Sequence, residues 1–218
     1  MGEFDGLVAV ITGGGSGIGA ACASVLGGRG ARVAVLDRAP TAGIGDLSVV
    51  ADVSAPLEPA MATVAEALGG IDILINSAGV SAVGTVEQNG DEEWLRCLDI
   101  NVVGVARASR AALPYLRRSP AAAIVNLSSI AAMAGLINRA VYSATKGAVH
   151  ALTLAMAADL VRDGVRVCCV APATVDTPWV ARLLAQAEDP AAEKRQLAAR
   201  QPTSSAVTSR PVGWRAAN

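Results

Sequence analysis

Short aliphatic and β-branched runs alternate along the chain with longer stretches whose apolar positions recur every three or four residues. The short runs predict strands at Leu7–Thr12, Arg32–Asp37, Leu47–Asp52, Ile71–Ile75, Ala123–Ser128 and Val165–Val170. The longer stretches predict helices at Gly17–Gly28, Pro56–Leu68, Asp91–Arg117 and Tyr142–Arg162, with Pro114 bending or ending the third. Continuous runs such as Val8-Ala9-Val10-Ile11 suit strands covered on both faces. Strand–helix alternation therefore predicts an α/β chain: a three-layer, doubly wound parallel sheet of six strands. After Thr177-Pro178 the pattern weakens. Trp179–Arg200 reads as a helical region broken near Pro190, and Gln201–Asn218 loses all periodicity. The expected organisation is one domain over 1–200 and an irregular tail over 201–218.

Composition narrows the function classes. The 218 residues suit a single sizeable core, and 52% hydrophobic content excludes a disordered chain. A formal net charge of −1 supplies no electrostatic footprint for nucleic acid or an anionic membrane. Cys22, Cys97, Cys168 and Cys169 form no C-x-x-C pair, and His150 is the only histidine, so no metal site is expected. The adjacent Cys168 and Cys169 read as small core residues. The first residues do not read as a basic-then-apolar leader, and no 18-residue apolar run occurs. A reduced, cytoplasmic setting is the expectation.

The first strand runs directly into Thr12-Gly13-Gly14-Gly15-Ser16-Gly17-Ile18-Gly19, and a helix follows at once. Glycine permits close backbone approach and a helix N-terminus offers free N–H donors, the two things a pyrophosphate needs. Gly13, Ser16, Gly17, Ile18 and Gly19 are the candidate phosphate contacts. Asp37 ends the second strand about twenty residues later, where a carboxylate grips ribose hydroxyls. It would repel a 2′-phosphate, which favours NAD over NADP, although the adjacent Arg38 would suit such a phosphate. Asp52 and Val53 close the third strand, either against adenine or as a simple turn.

Tyr142 and Lys146 stand at i and i+4, one turn apart on one helix face. A nearby ammonium favours the phenolate, so the expectation is a tyrosine tuned downward for proton transfer. Chance also supplies this spacing; the surroundings favour chemistry. Ser128-Ser129 ends a buried strand just upstream, Asn76-Ser77-Ala78-Gly79 follows another strand end, and Asn101 sits inside a helical stretch where a polar residue needs a reason.

These pieces resemble the classical short-chain dehydrogenases/reductases. The match rests on Thr12-Gly13-x-x-x-Gly17-x-Gly19, Asn76-x-Ala78-Gly79, Asn101, Ser129 and Tyr142-x-x-x-Lys146, in order over roughly residues 5–200. The resemblance implies a Rossmann fold and nicotinamide-dependent interconversion of a secondary alcohol and a ketone. It implies that Tyr142 exchanges the substrate proton, Lys146 holds the nicotinamide ribose, Ser129 bonds the substrate oxygen and Asn101 holds a relay water. Asn76, Ala78, Gly79, Pro172, Val175 and Thr177 are then cofactor-side, and a homo-oligomer is expected. Pro172-Ala173 departs from the usual Pro-Gly, and Asn76-Ser77 from Asn-Asn.

Arg139, with Arg182 and Arg200, resembles the branch acting on hydroxy acids and 2-keto-3-deoxy sugar acids, where a guanidinium fork would hold a carboxylate. An NADPH-dependent 3-oxoacyl reductase and a non-catalytic dinucleotide binder are the alternatives. Ser204–Asn218 resembles nothing in the family, and the usual seventh strand and Asp-Gly-Gly are not found. A truncation or a shifted reading frame would account for this, with an uncovered sixth strand, lower stability, an altered oligomer or lost activity as the expected result.

Overall fold

The structure is a computed structural model and describes residues 2–185 and 189–199. Two compact units divide the chain, Met1–Pro172 and Ala173–Asn218.

The first unit is built on six strands: β1 (Val8–Thr12), β2 (Arg32–Asp37), β3 (Leu47–Val50), β4 (Ile73–Asn76), β5 (Ala123–Leu127) and β6 (Arg166–Val170). Their order is β3-β2-β1-β4-β5-β6, and every pairing is parallel. Helices α1 (Gly17–Gly27), α2 (Glu58–Leu68), α3 (Asp91–Leu98), α4 (Gly104–Leu116) and α5 (Ala140–Leu160) make the connections. This is the α/β Rossmann architecture that the alternation predicts. Strand order reverses between β1 and β4, and the C-terminal ends of those strands border the crevice where such sheets bind ligands.

The two-residue period of the strands divides the core. Val8 and Val10 of β1 join Leu74 and Ile124 against α2 and α4, through Met61, Val64, Ala108, Ala112 and Leu116. Ala9 and Ile11 face the other way with Val33, Val35 and Ile75, where Ala23 of α1 packs. With so few aromatic residues, small aliphatic side chains interdigitate to fill both layers. Gly69 ends α2 in the left-handed region at φ +85°, its N–H returning to the Ala65 carbonyl.

Two expectations are corrected. The stretch Asp91–Arg117 is not one regular helix: five residues, Asp99–Val103, form a π-turn between α3 and α4. A π-turn keeps the chain helical, so apolar spacing hides it. Pro114 lies within α4, whose last residue comes two positions later. Cys168 is not a core residue but exposed, because β6 is the outer strand among the described residues and its side chains alternate between exposed and half-buried.

The second unit contains α6 (Pro178–Ala185) and α7 (Pro190–Ala199). The hydroxyl of Thr177 accepts from the Val180 N–H at 3.3 Å, at the start of α6. Among the described residues no helix is long and apolar enough to cross a membrane, and no cluster of three metal-ligating side chains forms. Arg200 and the tail at 201–218 lie outside the described residues.

Candidate active site

The glycine loop follows from steric demands at two positions. Gly13 has φ +63°, and a Cβ there would come 2.7 Å from the Ala78 Cα. A Cβ on Gly19 would come 2.4 Å from the Gly13 carbonyl oxygen. The loop is tied to its neighbours: the Gly13 N–H donates to the Leu36 carbonyl, and the Thr12 hydroxyl accepts from the N–H groups of Ser77 and Ala78 at 3.2 and 3.3 Å. These bonds join the end of β1 to β2 on one side and to the end of β4 on the other. Ser16 precedes α1 in extended backbone with no side-chain cap, and the first turn has no acidic residue. The start of α1, Gly17 included, thus carries no acidic side chain of its own to compete with an anion at the helix N-terminus. Ile18 packs into the α1-side core.

Asp37 closes on this loop. Its carboxylate accepts from the Gly15 N–H at 2.9 Å and from the Arg38 N–H at 2.8 Å. Asp52 lies in the loop after β3, where its carboxylate accepts from the N–H and hydroxyl of Ser54, and these bonds hold it below the usual carboxylate range. Val53 follows it in the same loop.

Beneath the crevice runs a buried polar ladder. Asn76 donates to Asn126 on β5 at 2.8 Å and to Ser109 on α4 at 3.2 Å. Asn126 donates in turn to Thr153 on α5 at 2.9 Å. Buried amides need partners, and these join two strands to the helices on one face. Ala78 and Gly79 continue from β4 toward the crevice.

Asn101 lies in the π-turn and is 1% exposed. Its side chain accepts from the Val80 N–H at 2.8 Å and donates to the Val80 carbonyl at 2.9 Å and the Thr145 hydroxyl at 3.0 Å. Thr145 donates to the Tyr142 carbonyl, so the π-turn braces the start of α5. Ser129 follows β5 with its hydroxyl accepting from the Ala131 N–H, and it also hydrogen-bonds Tyr142. The Lys146 ammonium donates to the Leu127 carbonyl at 2.6 Å and lies 5.8 Å from the centroid of the Tyr142 ring. Pro172 accepts from the Ile130 N–H, fixing the turn after Ser129.

Burial governs the ionisation here. It pushes the Lys146 ammonium down to about 8. It also pushes the Tyr142 phenol above its ordinary value, against opposing effects of the Ser129 hydrogen bond and the Arg139 charge. This corrects the expected downward tuning by Lys146. The ammonium is engaged by a main-chain carbonyl, and desolvation outweighs the charges acting on the phenol.

Arg139 is 6% exposed and immediately precedes α5. Its guanidinium donates to the Asn138 carbonyl, and its backbone forms a parallel bridge with Gly84. Asn138 turns the chain there at φ +55°. Ser129, Tyr142, Lys146, Asn101 and Arg139 thus gather around the start of α5. Val175, Thr177 and Arg182 belong to the second unit. The sequence assigns no role to Thr145, Ser109, Asn126 and Thr153, and names Thr12 only as part of the glycine motif. Asn126 carried a signal, a polar residue inside the apolar run Ala123–Leu127.

The family model described as "short chain dehydrogenase" matches residues 7–188. Meso-2,3-butanediol dehydrogenase of Serratia marcescens is 40% identical over 187 residues, 80% of this chain and 74% of that protein. The aldohexose dehydrogenase structure of Thermoplasma acidophilum, in ligand-free form, aligns with a TM-score of 0.83 at 31% identity, covering 89% of this chain and 78% of that one. The 3-ketoacyl-(acyl-carrier-protein) reductase of Brucella melitensis, complexed with NADH, aligns at 0.77 and 33% identity, covering 81% and 79%. Such matches, over a fold and motifs that agree, leave one conclusion: the chain belongs to the classical short-chain dehydrogenase/reductase family and is a nicotinamide-dependent enzyme of alcohol–ketone interconversion.

Proposed function

We propose that this enzyme uses NAD(H) on a small carboxylate-bearing substrate, a hydroxy acid or sugar acid. The group formed by the half-buried Tyr142 with the buried Ser129 and Lys146, beside the end of β5, carries the reading. The cradle fits a dinucleotide, because α1 opens with no side-chain cap and its glycine loop packs too tightly at Gly13 and Gly19 to carry side chains. When bound, the nicotinamide supplies the hydride acceptor or donor. Gly13, Ser16, Gly17, Ile18 and Gly19 hold the pyrophosphate through main-chain contacts. Asp37 takes the adenosine ribose, Asp52 and Val53 lie at adenine, and Asn76, Ala78, Gly79 and Pro172 shape the nicotinamide side.

In the reducing direction Tyr142 donates its phenolic proton to the substrate oxygen. The raised pKa keeps that proton in place at neutral pH. Ser129 donates a hydrogen bond to the same oxygen and polarises the carbonyl. Lys146 orients the ribose, and Asn101 holds the water through which Tyr142 is reprotonated. Arg139 meets the substrate carboxylate, a role supported by its charge acting on Tyr142.

The test is NADH formation from a panel of hydroxy acids, with Tyr142→Phe and Arg139→Ala beside the wild type. Loss of acid preference in Arg139→Ala with simple alcohols still turned over supports the carboxylate reading; unchanged kinetics on acids sinks it. Arg38, exposed beside Asp37, favours a second reading, an NADPH-dependent 3-oxoacyl reductase. Parallel NADH and NADPH titrations separate the two. We further propose a cytoplasmic homo-oligomer. Four free cysteines support the reducing location, and exposed Leu95, Val103 and Leu154 support self-association.

A further inference from the structure

The loop after β3 is held from outside itself. β3 ends at Val50, and the main chain beyond it is tied back at Ala51, to the Asp37 carbonyl, and at Ala55, to the Asp52 carbonyl. Between these points the Val53 carbonyl accepts from Arg107 Nη1 at 3.1 Å. The other arm of the same guanidinium, Nη2, donates to Asp99 Oδ1 at 2.7 Å. Asp99 is the first residue of the π-turn and Arg107 lies in the first turns of α4. One planar fork therefore spans a loop and a π-turn, which a lysine's single ammonium does not reproduce. A second contact brings the same elements together. Val53 packs so closely on Gly104 that a Cβ there would come 3.0 Å from Val53 Cγ2. The Arg107 side chain is 22% exposed, so its bonds are partly shielded from water.

We infer that Arg107 is a positioning residue for the adenine end of the dinucleotide, clamping the Asp52–Val53 loop onto the π-turn that carries Asn101. The inference rests on the proposed placement of adenine at Asp52 and Val53. The clamp fixes the height of the loop against the crevice, and the bound adenine meets a surface already in position. Arg107 touches neither substrate nor the reacting atoms, so its contribution falls on affinity for the adenosine half alone.

The experiment titrates the intact chain, by nicotinamide fluorescence, with NADH and with reduced nicotinamide mononucleotide, which lacks the adenosine half. Arg107→Met is expected to weaken NADH binding about tenfold, the scale of one charge-assisted hydrogen bond, and to leave the mononucleotide unchanged. Arg107→Lys, which keeps one donor, is expected to fall between, and it stands in should the methionine variant fail to fold. Equal loss for both ligands would mean general damage to the fold and overturns the clamp. Unchanged NADH affinity overturns it too. Asp37→Ala separates the two levels. If it weakens NADH selectively and Arg107→Met does not, the clamp is wrong and the dinucleotide placement stands. If neither variant does, the placement fails and the clamp falls with it.

Discussion

The Lys146 ammonium donates to the Leu127 carbonyl at 2.6 Å, tying α5 to the end of β5 two residues before Ser129. That tie holds a charge in a dry place. The Lys146 pKa is about 8 in the fold against 10.5 for the free side chain. Between those values the unfolded chain binds more protons, so stability rises with pH across that window and the full cost is present below it. The stability difference between wild type and Lys146→Met, from denaturation at pH 7 to 10, should move in favour of the wild type by up to about 3 kcal/mol as pH rises. A difference that stays flat across this range would show that Lys146 is not desolvated. Tyr142, shifted upward, acts in the opposite sense only above about pH 10.

Tyr142 and Ser129 share a hydrogen bond before any substrate arrives. Removing either hydroxyl leaves the cradle untouched. Tyr142→Phe should lower kcat/KM by about 10²–10⁴-fold and Ser129→Ala by about 10²–10³-fold, each with NADH affinity kept within about twofold. Steady-state kinetics beside a binding titration reads both. Wild-type turnover by the phenylalanine variant would remove Tyr142 from the chemistry.

Asn126 is fully buried and links Asn76 to Thr153. Asn126→Leu takes the Asn126 acceptor from Asn76 and the Asn126 donor from Thr153. Chemical denaturation should show a loss of about 1–3 kcal/mol. The variant's far-ultraviolet circular dichroism should stay native, since β4 and β5 keep their ladder. A neutral result would mean that the ladder is decoration.

Gly19 lies in α1, where alanine ordinarily favours a helix, yet its Cβ would meet the Gly13 carbonyl. Helix propensity and loop geometry therefore predict opposite outcomes. The clash is with backbone, so Gly19→Ala should move the loop and weaken NADH by more than about tenfold in a chain that remains folded. Unaltered binding would show that the loop yields at little cost.

The sheet and the motif residues were legible because each rests on a local pattern. Buried parallel strands read as continuous apolar runs, and the glycine loop declares itself between a strand and a helix. The Tyr142–Lys146 spacing showed which side chains share a face. It did not show that burial outweighs charge at the phenol, because desolvation depends on what α5 packs against. Arg107 carries no signal in the local pattern, since its partners lie 54 and 8 positions away. Cys168 read as core because an outer strand carries the same apolar composition as an inner one. The π-turn left only Asn101 as its trace.

That turn has a further consequence. It rotates everything downstream by about a quarter turn relative to an uninterrupted α-helix. Upstream of it Cys97 packs with Ala82 and Val141, while downstream Ala108, Ala112 and Leu116 pack with Val10 and Leu74. The single surplus residue acts as a phase shifter, letting one helical rod serve two separate cores. A one-residue deletion between Asp99 and Val103 would therefore do more than shorten a turn. It would swing α4's alanine stripe off the sheet, and the change would be felt far from the crevice.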